Sequence, residues 1–176
     1  MDTIKQTLLA RVYDVATKTP LEPAAKLSGE LGCSVYIKRE DLQPVHSFKL
    51  RGAYNKIAHL NAKEKAAGVL AASAGNHAQG VALSAQKLGI TATIVMPKTT
   101  PDIKVRAVES YGAKVVLHGD NYSEAYEHAM QLVASSGQTF IHPFDDPLVI
   151  AGQGTIGREI LEQLPETTHI FIPVGG

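Results

Sequence analysis

The sequence predicts an α/β fold in which parallel sheets are covered by helices, and three observations carry that prediction. Strand-like and helix-like segments alternate along most of the 176 residues, joined by short links. The strand candidates are continuous apolar runs, such as TATIVM and FIPV, rather than alternating ones. Continuous runs suit strands whose two faces are both covered. Several helix candidates end on a glycine, the residue that most easily closes a helix in the left-handed region.

Taken in order, Thr3 to Tyr13 reads as an amphipathic helix with Ile4, Leu8, Leu9 and Val12 on one side. TKTPLEPAAKLSGELG gives a proline-bounded turn and then a short helix ending at Gly32. SVYIK is the first strand, and the chain breaks at Pro44. RGAYNKIAHL follows with Tyr54, Ile57, Ala58 and Leu60 at helical spacing. The pattern then becomes regular. GVLAAS, ITATIVMP, AKVVLHG, TFIHPF and HIFIPV read as strands. Between them lie helices over NHAQGVALSAQKLG, PDIKVRAVESYG, NYSEAYEHAMQLVASSG and DPLVIAGQGTIGREILEQL. No linker, low-complexity segment or solenoid period interrupts the series. The chain stops at FIPVGG, where a strand enters a glycine pair, so it reads as part of a longer protein cut within a motif.

Composition narrows the classes of function. Basic and acidic residues balance at 17 each, which gives no electrostatic reason to expect nucleic acid or an anionic membrane as partner. At 44% hydrophobic and 19% charged, the composition is that of an ordinary globular protein. No apolar run has the length of a membrane span, and the N-terminus lacks a signal-peptide core. A single cysteine, Cys33, suits a reducing compartment and reads as a small buried hydrophobe at the start of a strand. These features predict a cytoplasmic protein.

Three stretches invite a chemical reading. SAGNHAQG (73–80) follows a strand and opens a helix. Its backbone N–H groups and the positive helix end converge where a carboxylate or phosphate binds, with Gly75 allowing close approach. An ordinary capped turn would look the same from spacing alone. GQGTIG (152–157) matches a dinucleotide fingerprint in letters. No strand precedes it and no acid ends the next strand, so its glycines are expected to serve close helix packing. Asp146 and Pro147 read as a cap and a first-turn proline, which leaves the pair Asp145 and Asp146 without an acid–base role. The seven histidines show no metal-ligand spacing, so no metal is expected. His118 and His142 sit near strand ends, where polar loop residues are the default. Lys63, Glu64 and Lys65 read as a solvated charge cluster.

The third stretch is HSFKLRGAY (46–54). Lys49 falls in the first turn of a predicted helix with Ser47 as its cap, and the positive end of a helix dipole is a poor place for an ammonium. Two readings stand: a surface lysine reaching over an apolar patch, or an amine whose pKa is lowered by its apolar neighbours Phe48 and Leu50 and by the dipole. A neutral amine beside an anion-binding turn is what imine chemistry on pyridoxal phosphate requires.

IKREDLQPVHSFKLRGAY, then ASAGNHAQGVA, then IVMP and PDIK, resemble the pyridoxal-phosphate enzymes of the tryptophan-synthase β fold. The closest likeness within that group is to the threonine dehydratases (threonine deaminases) of the biosynthetic branch. The resemblance runs over essentially the whole chain and implies a two-lobed fold. Residues 1–52 would belong to the larger, cofactor-holding lobe and 53–150 to the smaller lobe. Residues 151–176 would return to the larger lobe, cut within a glycine-rich phosphate loop. Pyridoxal 5'-phosphate is the implied cofactor. Lys49 matches the lysine that forms the imine and serves as base, and Asn76 the asparagine that hydrogen-bonds the ring hydroxyl. Ser73, Ala74, Gly75, Asn76 and His77 match the loop holding the substrate carboxylate. Gly175 and Gly176 match the first residues of the phosphate cradle.

The implied reaction is dehydrative deamination of L-threonine, and of L-serine, to 2-oxobutanoate or pyruvate and ammonia, a first step towards isoleucine. A small amino-acid substrate and a homo-oligomer of the complete protein are the implied partners. The alternatives are a serine racemase or a catabolic serine/threonine dehydratase of the same fold, or a non-catalytic ligand-binding fragment. The 176-residue chain alone is expected to be inactive.

Overall fold

The computed structural model describes residues 2–173. Its centre is a four-stranded, all-parallel sheet built from β3 (Val69–Ala72), β4 (Ala92–Met96), β5 (Lys114–Leu117) and β6 (Thr139–Phe140), in the order β5-β4-β3-β6. The register is continuous: Val69 faces Ala92 on one side and Thr139 on the other, and Thr93 faces Lys114. β3 and β4 are buried at every position, as their unbroken apolar runs predict.

Helices cover both faces. On one side, α5 (Asn76–Leu88), α6 (Asp102–Glu109) and α3 (Lys49–Ala58) close over Val69, Ala71, Ile94 and Met96. On the other, α7 (Tyr122–Ser136) packs Ala125 and Ala129 on Leu70, Ala72 and Val95. α8 (Pro147–Gln163) lies against α3 and against α1 (Thr3–Leu8). Gly32, Gly89 and Gly137 end their helices in the left-handed region, as the sequence suggests for the first two.

Several expectations need correction. The first helix stops at Leu8, and Ile4, Leu8 and Leu9 are exposed; only Val12 joins the core, beside Val45 and Leu50. The stretch read as a proline turn contains β1 (Leu21–Pro23), which pairs antiparallel with β2 (Tyr36–Lys38) in a sheet of its own. A proline is tolerated there because the strand has a free edge. α2 (Ala25–Leu31) joins them. Cys33 is exposed, not buried, because this small sheet lies outside the main core. The charge cluster at 63–65 belongs to α4 (Ala62–Ala67), which Asn61 and Glu64 start with a reciprocal capping box.

TFIHPF pairs only over Thr139–Phe140. Beyond it the ring Nδ1 of His142 accepts the N–H groups of Phe144 and Asp145, turning the chain away, and Pro143 has no N–H to offer a ladder. Residues 169–173 of HIFIPV form no strand, and Phe171 and Ile172 are exposed; among the described residues no strand pairs with them. Val174 lies outside the described residues. No described helix is long and apolar enough to cross a membrane.

Candidate functional site

The site sits at the C-terminal ends of β3 and β6, where parallel sheets of this kind present ligands. Lys49 reaches it from the first turn of α3. The chain enters that helix through His46, whose φ of 52° is left-handed, and the Ser47 hydroxyl accepts the Lys49 backbone N–H at 3.2 Å. The N-cap position is Phe48, which makes no capping bond, and Ser47, the residue the sequence suggests, supplies its hydroxyl from one position earlier.

The Lys49 side chain is half-buried. Its Nζ donates to the Pro143 carbonyl at 2.9 Å and stands 5.3 Å from the centre of the Phe48 ring. No carboxylate pairs with it among the described residues, and burial lowers its pKa below the ordinary lysine range. The structure thus favours the lowered-pKa reading over a surface lysine.

α5 begins beside this amine. Its first residues follow β3 through Ser73, Ala74 and Gly75. The Ser73 N–H joins the Val95 carbonyl, and the Ser73 hydroxyl accepts the Gly75 N–H at 3.2 Å. Gly75 stands at the helix N-cap with no side chain over the helix end, and a Cβ there would meet nothing within 4 Å. The first-turn N–H groups have no partners inside the helix, and no N-cap side chain meets them. Asn76 is exposed, whereas His77 is buried and its Nε2 donates to the Ile141 carbonyl at 2.8 Å. One turn on, a Cβ at Gly80 would lie 3.0–3.1 Å from the backbone of Lys49 and Leu50. The two helices touch backbone to backbone, which fixes the α5 N-terminus next to Lys49.

Ser73, Ala74, Gly75, Asn76, His77 and Lys49 are therefore gathered at one place, and the loop 141–143 bridges His77 and Lys49. Gly175 and Gly176 lie outside the described residues. The remaining candidates find structural roles. Asp146 caps α8 by accepting Leu148 and Val149 N–H groups, and it pairs with Lys56 of α3 at 2.7 Å. A Cβ at Gly152 would sit 2.7 Å from the Arg51 carbonyl and from Gly52 Cα, so that glycine of GQGTIG serves helix packing. The His118 ring stacks on His128.

Sequence reasoning missed the ionic cluster behind Lys49. Arg51 is fully buried and holds Glu40 with two bonds of 2.8 Å and Glu159 with bonds of 2.6 and 3.0 Å. Glu159 also accepts from Lys38 at 2.6 Å and from the Tyr13 hydroxyl at 2.8 Å. The cluster ties α3 to α8, β2 and the N-terminal segment. No local signal marked it: one turn from Glu159 stand Thr155, Ile156, Glu162 and Gln163, and its partner Arg51 is 108 residues away.

These residues fit pyridoxal phosphate. Burial lowers the amine's pKa, and the helix N-terminus beside it, which no N-cap side chain covers, offers donors to an anion.

Residues 12–176 match the family described as "Pyridoxal-phosphate dependent enzyme". The chain is 61% identical to the L-threonine dehydratase biosynthetic IlvA of Pasteurella multocida, over 98% of its own length and 34% of that protein's. Among solved structures, the processed form of threonine deaminase isoform 2 from Solanum lycopersicum superposes with a TM-score of 0.96 at 56% identity. That match covers 99% of this chain and 48% of the other. Maize serine racemase gives a TM-score of 0.88 at 33% identity, covering 94% and 50%. The chain spans about a third of the length of the curated relatives it matches. It belongs to the family of pyridoxal-phosphate-dependent enzymes.

Proposed function

We propose that this member of the pyridoxal-phosphate-dependent enzyme family is part of a lyase that converts L-threonine to 2-oxobutanoate and ammonia, and L-serine to pyruvate and ammonia. The observation that carries the proposal is the Lys49 amine. It is half-buried, lowered in pKa by burial, anchored on a carbonyl rather than a carboxylate, and set beside an open helix N-terminus. The relative from Pasteurella multocida, an L-threonine dehydratase described as biosynthetic, supports threonine as substrate and a biosynthetic role, which this proposal places on the way to isoleucine.

When bound, pyridoxal phosphate supplies an aldehyde that an amine captures and a ring that accepts electron density from the substrate Cα. The chain's own residues do the rest. Lys49 holds the cofactor and, once its amine is free, takes the Cα proton at Nζ. The loop of Ser73, Ala74, Gly75, Asn76 and His77 holds the substrate carboxylate through the N–H groups of Ala74, Asn76 and His77, since those of Ser73 and Gly75 are engaged by the Val95 carbonyl and the Ser73 hydroxyl, and this orients the Cα proton toward Lys49. The Asn76 side chain would hydrogen-bond the cofactor's ring hydroxyl, and Gly175 and Gly176 would contribute to holding its phosphate. The water lost from the substrate is recovered in the hydrolysis that releases ammonia, so the net change is loss of ammonia alone.

In this reading residues 1–52 and 151–176 belong to the larger lobe and 53–150 to the smaller. The complete protein works in the cytoplasm as a homo-oligomer. The second reading, a serine racemase, is favoured by the superposition on the maize enzyme but at lower identity.

The test is borohydride reduction of the full-length gene product with pyridoxal phosphate, followed by digestion and mass spectrometry. One adduct, on Lys49, is expected, and Lys49→Ala should abolish turnover of threonine. Label scattered over surface lysines, or near-normal turnover by Lys49→Ala, would sink the proposal. Racemisation of serine without deamination would favour the second reading.

A further inference from the structure

The reading above uses His77 only through its backbone N–H, and leaves its ring without a task. That ring is 3% exposed. Its Nε2 lies 2.8 Å from the Ile141 carbonyl. A carbonyl only accepts, so Nε2 carries the proton. Burial holds the imidazole far below its usual range, to about 4, so the ring is neutral near pH 7 and Nδ1 is a bare lone pair. This lone pair is buried and has no hydrogen-bond partner among the described residues. Buried acceptors left unmet are rare and costly.

The surroundings show which donor is at hand. Lys49 and His142 are the titratable groups whose charge acts on the ring. Lys49 bonds the carbonyl of Pro143, two residues beyond the carbonyl that His77 holds, so one short stretch anchors both side chains. The backbone contact between Gly80 and Lys49–Leu50 keeps α3 and α5 from drifting apart. The ring is fixed by its bond to Ile141, while a lysine has four rotatable side-chain bonds and can change acceptor without moving its helix.

We propose that His77 is a positioning residue for Lys49, its Nδ1 being a second acceptor onto which the amine swings from the Pro143 carbonyl. The amine then has two docking points, one on the loop after β6 and one on α5. No proton or covalent bond is exchanged; an N–H of Lys49 leaves an oxygen lone pair for a nitrogen one. The inference rests on Lys49 being the reacting amine.

An acceptor of this kind favours the ammonium form, so it partly offsets the lowering that burial imposes on Lys49. Deleting Nδ1 from a site that stays dry therefore lowers the Lys49 midpoint further. A ring with a merely structural task would do the opposite, because its loss would admit water and return the lysine toward its ordinary value.

The experiment is competitive acetylation of the full-length protein without cofactor across a pH series, with Lys49 read by mass spectrometry. Wild type is compared with His77→Leu and His77→Met, which remove Nδ1, and with His77→Gln, whose amide N–H can reach Ile141 while its oxygen restores an acceptor. The expected result in His77→Leu and His77→Met is a Lys49 midpoint lower by about one unit, a roughly tenfold gain in neutral amine at fixed pH below both midpoints. Cooperative melts identify the variants that remain folded; His77→Gln should keep the wild-type midpoint, and His77→Met decides if His77→Leu does not fold. A midpoint unchanged or raised in folded His77→Leu or His77→Met overturns the proposal. If wild type still forms its borohydride adduct on Lys49, that failure belongs to His77 alone and the assigned chemistry stands.

Discussion

Lys49 and Arg51 leave the same helix two residues apart and enter opposite environments. Arg51 is fully buried among Glu40, Glu159, Thr155 and the Thr17 carbonyl, with every nitrogen of its guanidinium engaged. Lys49 is only half-buried yet has a single carbonyl for company. Burial alone would lower the pKa of both. At Arg51 the bonds to Glu40 and Glu159 outweigh burial and raise it, while at Lys49 burial stands unopposed. Supply of carboxylates, rather than depth, decides which cation stays charged. One helix thus carries a cation locked by carboxylates and another whose pKa burial lowers, the amine that the proposed function uses.

The sharpest way to break this contrast is Arg51→Met. It takes the shared cation from Glu40 and leaves Glu159 to Lys38, and breaking a buried pair from one side costs about 3–5 kcal/mol. Urea unfolding of the full-length protein should show a loss of that order. Unchanged stability would mean that the cluster holds nothing together.

The same cluster should leave a pH signature. Burial would raise the Glu159 pKa, but bonds from Arg51, Lys38 and Tyr13 more than reverse this and hold it below the usual carboxylate range. A carboxyl lowered by folding stabilises the fold fully above its unfolded value and loses that contribution as pH falls through the folded one. Urea midpoints should therefore fall as pH drops below about 4.5, the ordinary glutamate value, and Glu159→Gln should flatten that dependence. An identical slope in the variant would remove Glu159 from the account.

Gly152→Ala tests the wall between the two environments. Its Cβ would stand 2.7 Å from the Arg51 carbonyl and from Gly52 Cα, both backbone atoms that cannot rotate away. Overpacking of this sort costs about 1–3 kcal/mol, to be read from chemical denaturation. A neutral result would show that α3 and α8 can separate freely.

The smallest effect concerns Lys49 itself. Phe48→Glu replaces the ring 5.3 Å from Nζ with a carboxylate, giving Lys49 what Arg51 already has. The lysine midpoint should rise by about one unit, or ~1.4 kcal/mol, in the pH-dependent labelling. No rise would show that solvent, not the lack of a partner, sets its value.

Much of this was legible in the sequence where a local rule sufficed. β3 and β4 follow from unbroken apolar runs, α8 from Asp146 and Pro147, and the ends of α2 and α5 from Gly32 and Gly89. Lys49 stood out because its position conflicts with the helix dipole. The α5 turn could be placed, but its openness could not, since a capped turn and an uncovered one share a spelling. Features that depend on distant partners escaped. The Arg51–Glu159 pair spans 108 residues, and β1 becomes a strand only because β2 lies beside it. Cys33 is exposed for the same reason: that small sheet lies apart from the main one.

The resting partner of Lys49 is a main-chain oxygen, and this shapes how the site responds to sequence change. A carboxylate partner can be deleted by one substitution, whereas the Pro143 carbonyl persists whatever side chain stands at 143. A mutational scan would register that position only through the shape of the turn that His142 braces. The anchor is inherited with the turn, so drift in the side chains of this loop can retune its surface while the amine keeps the same foothold.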